Sequence, residues 1–201
     1  MTLFRKVKNN LWHYYHDIIE CLIGALEAKD SYTSGHSERV AHMAYNIGEK
    51  YGMNKKKLQQ LHLAGHLHDI GKIGIPDNIL NKPGELQPSE YEIIKTHSRV
   101  GYDILNKSKK LEEIATIVLY HHERWDGKGY PNGLKGEEIP LSSRIIALSD
   151  SIDAMITKRT YKKSLSWEEC IDEVIANKGI QFDPHLVDIL LELCDKDELT
   201  N

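Results

Sequence analysis

The chain has little of what would place it in a membrane, outside the cell or on a nucleic-acid duplex. No apolar run approaches the roughly 20 residues that a bilayer core demands, so a membrane-spanning helix is not expected. The start, MTLFRKVKNNLWHYYHDIIE, carries early Lys and Arg but lacks the apolar stretch and small-residue cleavage site of a secretory leader. Cysteine is scarce: Cys21, Cys170 and Cys194 are far apart and form no CxxC pair. An odd, scattered count fits reduced core thiols in a cytoplasmic protein. A basic excess is also missing. Net charge is −4 over 201 residues, with no basic stripe, which argues against binding polymeric nucleic acid non-specifically.

Histidine is what the chain has in excess. There are 11, six of them between His62 and His122, and no tag-like run accounts for them. Around them the periodicity is helical, with no convincing strand pairs and no internal repeat, so the fold class is all-α. Ile18, Ile19, Leu22, Ile23 and Leu26 recur at helical spacing over 10–29, and Val40, Met43, Ala44 and Ile47 over 36–51. Asn54 is placed to cap a helix over 55–69. Pro88 suits the first position of a helix over 88–106, with Tyr91 and Ile94 on its inner stripe. A helix over 109–121 ends at a double histidine. Four glycines, Gly127, Gly129, Gly133 and Gly136, with Pro131 and Pro140, then shape a loop over 122–140. Helix returns over 141–157. Ser166 with Glu169 opens the next helix as a capping box, and Asp183-Pro184 opens the last.

Two strings carry the chemistry. HDIGKIGIPD at 68–77 sets His68 beside Asp69, and HHERWDGKGYP at 121–131 pairs His121 with His122. A buried charge without a partner is costly and adjacent histidines waste packing surface, whereas a bound metal is a partner for both. The side chains that gather naturally are His36, His68, Asp69, His97, His121, His122 and Asp150. Asp153, three residues beyond Asp150, shares its helical face and supports it. Imidazoles and carboxylates without thiolate favour borderline divalent metals: iron or manganese first, with zinc, cobalt and nickel admissible. Seven ligands exceed one tetrahedral ion and suit two ions sharing a carboxylate. Two ions about 3.5–4 Å apart would activate a bridging water and clamp an in-line phosphoryl displacement. His62 and His66, four apart on the same helix, have a spacing that metal sites use.

Together these strings, with GHSERV, KPGEL, KTHSRVG, IPLSSRI, SDSIDAM and GIQFDP, resemble the HD-GYP family of metal-dependent phosphohydrolases over residues 30–185. The resemblance implies a single HD-type helical bundle with a glycine-rich GYP loop. It divides the chain into an N-terminal helix, 1–29, packed on the domain, and an HD-GYP domain, 30–201. It also implies hydrolysis of cyclic di-GMP, or a related cyclic dinucleotide, to linear pGpG or GMP by a hydroxide bridging two metals. His36, His68, Asp69 and Asp150 then match ligands shared with the wider HD superfamily, and His97, His121 and His122 the family's added ones, with Asp69 as the bridge. Lys72 resembles the phosphate-facing lysine, so Asp69 and Lys72 are the expected catalytic pair. Arg159 and Lys162 match positions that hold substrate phosphate. Arg124, Asp126 and Tyr130 belong to the loop that lines the site. His62 and His66 fall outside the family's pattern, and they and the remaining histidines are expected to be structural. Where some members carry a Glu for a third metal, this chain has Tyr32, so two ions are expected. The family's R-P-Y reads Arg159-Thr160-Tyr161, and Ser149 precedes Asp150 where a small apolar residue is usual. The rival function is a non-catalytic cyclic dinucleotide receptor or partner-binding module in bacterial signalling. A homodimer or a regulatory protein partner would fit either.

Overall fold

Helix α2 (His36–Tyr51) buries one stripe, Val40, Ala44 and Ile47, and the rest of the fold is arranged around it. This is the computed structural model of the chain, and it describes residues 18, 19, 21–26, 28–30, 35–157 and 164–194. Helix α1, of which 18, 19, 21–26, 28 and 29 are described, turns Ile23 and Leu26 inward and leaves Leu22 exposed. Asn54 caps α3 (Lys55–Leu67) by accepting from the Lys57 amide at 3.1 Å. Helices α2 and α3 cross closely because each contributes a glycine. A methyl group on Gly48 would sit 2.6 Å from the Leu61 side chain, and one on Gly65 would sit 2.6 Å from the Ala41 Cα.

After α3 come a 3-10 turn (Ile70–Gly74), α4 (Asp77–Leu80), α5 (Pro88–Lys95), α6 (His97–Leu105) and α7 (Glu112–Tyr120). The glycine-rich loop contains a second 3-10 turn (Gly136–Glu138) and leads to α8 (Leu141–Ile156), α9 (Trp167–Ala176) and α10 (Pro184–Cys194). The Ser166–Glu169 capping box forms as expected, the Ser166 amide donating to the Glu169 carboxylate at 2.7 Å. Helices α2, α3, α7, α8 and α10 enclose the core, in which Leu61, Val118, Ile145, Ile152, Leu186 and Leu190 are buried. Among the described residues there is no strand, only an isolated bridge between Lys178 and Phe182. No described helix is long and apolar enough to cross a membrane. No disulfide joins the three cysteines, and burial pushes the Cys170 thiol up to about 11.

Three helix expectations need correction. The helix read over 88–106 is two helices. Thr96 Oγ1 and the Thr96 amide both turn back to the Ile93 carbonyl, at 2.6 and 3.1 Å, and this tight turn ends α5 before α6 begins. The helix read over 55–69 stops at Leu67. The one read over 109–121 begins at Glu112, after a turn. Tyr91, expected on an inner stripe, is exposed.

Candidate metal centre

Three of the histidines stand where a helix ends. His68 follows α3, His97 comes just after α5, and His121 follows α7. The last carbonyls of a helix have no partner within it. Each imidazole takes up one of them: Nδ1 of His68, His97 and His121 lies 2.7, 2.7 and 2.6 Å from the oxygens of Gly65, Ile94 and Val118. A carbonyl only accepts, so Nδ1 carries the proton and donates. In the neutral ring Nε2 is then a bare lone pair.

These lone pairs converge. Nε2 of His97 and of His121 face one another at 3.3 Å. His68 Nε2 is buried with no hydrogen-bond partner, while the Asp69 Oδ2 acceptor lies 3.3 Å away. His36 turns its Nε2 to Asp150 Oδ1 at 3.2 Å, and the same oxygen is 3.9 Å from His68 Nε2. Asp69 divides its carboxylate between two groups of imidazoles. Its Oδ2 looks to His68 and, at 3.9 Å, to His36, while Oδ1 lies 3.5 Å from His97 Nε2. His122 stacks beside His121, ring centroids 4.0 Å apart, and completes a trio with His97.

The groups around this centre fix its parts in place. Asp153 is 1% exposed and takes the His36 Nδ1 at 2.7 Å. Arg39 holds Asp153 in turn through Nε at 2.6 Å. Lys72 places its ammonium between Asp69 Oδ2, at 2.7 Å, and Asp30 Oδ2, at 2.9 Å. Asp30 and Arg39 were not singled out from the sequence. Arg39 lies within GHSERV one helical turn after His36 and could have been found by that spacing. Asp30 gives no local signal.

Electrostatics differ across the site. Burial pulls the His36 ring down, but hydrogen bonds and charge from Asp150, Asp153 and Asp69 outweigh it and raise the pKa to about 9. On the other side, burial and the neighbouring rings push His97 down, His121 well down, and His122 down to about 3. Burial alone would raise Asp69, yet Lys72 and the surrounding imidazoles hold it well below the usual carboxylate range. Asp150 is likewise held low against burial, first by its hydrogen bond from His36. Lys72 is desolvated, but the two carboxylates keep it charged.

Two glycines make the geometry possible. A methyl group on Gly71 would stand 1.8 Å from the His97 carbonyl oxygen and 2.5 Å from the Gly101 amide nitrogen. Backbone therefore meets backbone where the HD turn touches α6. On Gly129 it would stand 2.4 Å from the Arg124 amide nitrogen and 2.5 Å from the His122 carbonyl oxygen, so the loop folds directly onto the double histidine. That fold brings the Tyr130 ring to 4.8 Å from His122.

A cavity of about 420 Å³ opens beside His121 and His122, with Tyr91, Lys95, Arg124 and Lys128 in its wall. Three of the five Arg124 donors are already used, two on Asp126 and one on Gln181. Asp126 is absent from the cavity lining and instead holds Arg124 and the Lys128 amide. Arg159, Lys162 and Tyr32 lie outside the described residues.

The centre fits a divalent cation. Facing imidazole lone pairs repel without a cation between them, and an orphaned buried Nε2 beside a carboxylate oxygen lacks the same thing. The donors are all nitrogen and oxygen, suited to borderline metals.

Known proteins resemble the chain over most of its length. The chain is 43% identical to a protein named cyclic di-GMP phosphodiesterase from Thermotoga maritima, over 96% of this chain and 54% of that protein. It is 42% identical to a 3'3'-cGAMP-specific phosphodiesterase of Vibrio cholerae, over 90% of this chain and 35% of that one. The chain thus spans about half, or less, of the length of these relatives. A solved structure of a cyclic GMP-AMP specific phosphodiesterase of V. cholerae shares the fold, with a TM-score of 0.67 at 24% identity over 90% of this chain and 49% of that one. The family model described as HD domain matches residues 20–186, and the chain belongs to the HD-domain family.

Proposed function

We propose that this chain is a phosphodiesterase of the HD-GYP type that hydrolyses cyclic di-GMP, or a closely related cyclic dinucleotide, to linear pGpG or GMP. One observation carries the proposal: Asp69 presents one oxygen to the His36–His68 group and the other to His97, where bare Nε2 atoms converge. His36, His68 and Asp150 would hold one ion and His97, His121 and His122 a second, with Asp69 shared, and iron or manganese as the metal. Two bound divalent ions would supply Lewis-acid polarisation of the phosphodiester and an activated water near neutral pH.

The chain's own groups do the rest. Lys72 sets a permanent positive charge beside Asp69, where it can stabilise charge that develops on phosphate oxygens. Arg124, fixed by Asp126 and Gln181, keeps two N–H donors for the substrate. Tyr130 and Tyr91 present flat faces to a base. Arg159 and Lys162 are the remaining proposed phosphate holders. A cytoplasmic setting, where the buried Cys170 thiol stays reduced, belongs to the same proposal. Both relatives named above support a cyclic dinucleotide as substrate.

The test is turnover under reducing conditions. Protein loaded anaerobically with iron, and separately with manganese, is given excess cyclic di-GMP and the digest is resolved by chromatography. Many turnovers to pGpG or GMP are expected. Tight stoichiometric binding with no product under either metal would instead make the chain a cyclic dinucleotide receptor.

A further inference from the structure

A second group of metal-ligating side chains lies away from this centre. His62 and His66 are one turn apart on the same face of α3, their ring centroids 4.6 Å apart at 72°. The sequence offers only these two, and two imidazoles at that spacing are more often structural than ligating. The structure adds a third donor that no sequence spacing reveals. Glu38, in the first turn of α2, reaches across, with its Oε2 3.4 Å from His66 Nε2. One donor atom from each of Glu38, His62 and His66 falls within 4.8 Å of the others.

We infer that Glu38, His62 and His66 form a separate divalent-metal site of the zinc class that clamps the start of α2 to the end of α3. The spacing is the first argument. A hydrogen bond between nitrogen and oxygen has a usual length of about 2.7–3.2 Å. Ligands about 2.0–2.2 Å from a tetrahedral zinc stand about 3.3–3.5 Å apart. The His66–Glu38 separation belongs to the second range. Two of the ligand pairs proposed for the main centre, His97–His121 and His68–Asp69, have a similar spacing, 3.3 Å each.

Rigidity is the second argument. The two helices meet backbone to backbone at Gly65 and Ala41, within one turn of each ligand, so the donors are carried on a fixed frame rather than on loops. His66 is buried, and Tyr45 packs edge-on against the His62 ring at 6.1 Å, which limits how both rings turn. Glu38 is exposed and leaves an open side where solvent can be the fourth ligand. Two imidazoles, one carboxylate and a water form an accepted zinc set, and an imidazole pair at i and i+4 on one helical face is the spacing such sites use.

The position suggests what the ion does. Glu38 lies two residues after His36, and His66 two residues before His68. An ion here would fix the frame that holds two ligands of the main centre without touching the substrate.

The experiment uses the full chain, stripped of metal and titrated with Co²⁺ while visible absorption and bound equivalents are recorded. Wild type should bind one equivalent more than His62→Ala, and Zn²⁺ should raise the Tm of wild type more than that of the variant. Glu38→Gln, a conservative change at an exposed side chain, covers the case in which His62→Ala fails to fold. It should weaken the extra equivalent by at least about tenfold, since even partners one shell out cost that much. The same extra equivalent should persist in an Asp69→Ala background, so the clamp stands or falls independently of the phosphodiesterase centre. Equal Co²⁺ stoichiometry and an equal Zn²⁺-dependent Tm in wild type and Glu38→Gln would overturn the inference.

Discussion

The two sides of the metal centre are built from the same kind of residue and behave in opposite ways. The His36 side contains its own counter-charges: Asp150 and Asp153 flank the ring, Arg39 anchors Asp153, and the imidazole is driven up to about 9. The side made of His97, His121 and His122 has three imidazoles against the charge of Asp69 and, at His122, of Asp150. Burial first, and then the neighbouring rings, depress its imidazoles, and His122 falls to about 3. Without an ion the first side is an internally neutralised ion-pair network, and the second is a set of lone pairs with nothing to bind. On the proposed reading, metal dependence would be concentrated on the His97 side, with Asp69 as the link between the two sides.

The largest effect should come from removing that link. Asp69→Ala is expected to lose metal from both sides and abolish hydrolysis, measured by elemental analysis beside turnover. Retention of one full equivalent beyond any held by Glu38, His62 and His66 would mean that the sides load independently. Lys72→Ala should keep its metal while kcat falls by about 10²–10³, as for loss of one charge-stabilising donor. Unchanged turnover would remove Lys72 from the chemistry. Asp153→Asn acts on the His36 side alone. It should weaken metal binding about 10–100-fold, as loss of an orienting partner does, and leave the His97 side loaded.

The smallest effect, and the sharpest for the comparison, is on the stability of the metal-free protein. His122 has a folded pKa of about 3 against an ordinary 6.5, so between those values the unfolded chain binds a proton that the folded one refuses. Stability should fall as pH drops through that window. His36, raised to about 9, works the other way: its contribution is full below 6.5 and is lost as pH rises through about 9. Thermal melts should thus show two limbs. His122→Gln should soften the acid limb, and Asp153→Asn the alkaline one. Metal-free protein with a flat Tm across both windows would refute this division.

Much of this was legible in the sequence because its signals are local. The start of α2, the Asn54 cap, Pro88 at the head of α5 and the Ser166–Glu169 box depend on neighbours a few residues apart. So does the order of histidines and aspartates that the HD-GYP resemblance picks out, and those seven side chains do meet. What the sequence could not give depends on residues brought from elsewhere. The break at Thr96 comes from side-chain and backbone bonds to one carbonyl, which helical periodicity does not register. Asp30 meets Lys72 across 42 positions, and Glu38 reaches α3 only because Gly65 admits Ala41. Arg124 and Asp126 both look like substrate contacts in a one-dimensional motif. In three dimensions the second is largely occupied in steadying the first.

The contact of Gly71 with the His97 carbonyl has a wider consequence. Because main chain rests on main chain there, the distance between the HD turn and α6 is set without any side chain from the cavity wall. If the proposed function holds, Tyr91, Lys95 and Lys128 would be open to exchange for residues that suit a different base while the HD turn keeps its distance from His97. A single seam of this kind lets one scaffold explore new specificities without re-solving its chemistry each time. The same seam is intolerant of change itself, since even one added methyl group would wedge the two sides apart.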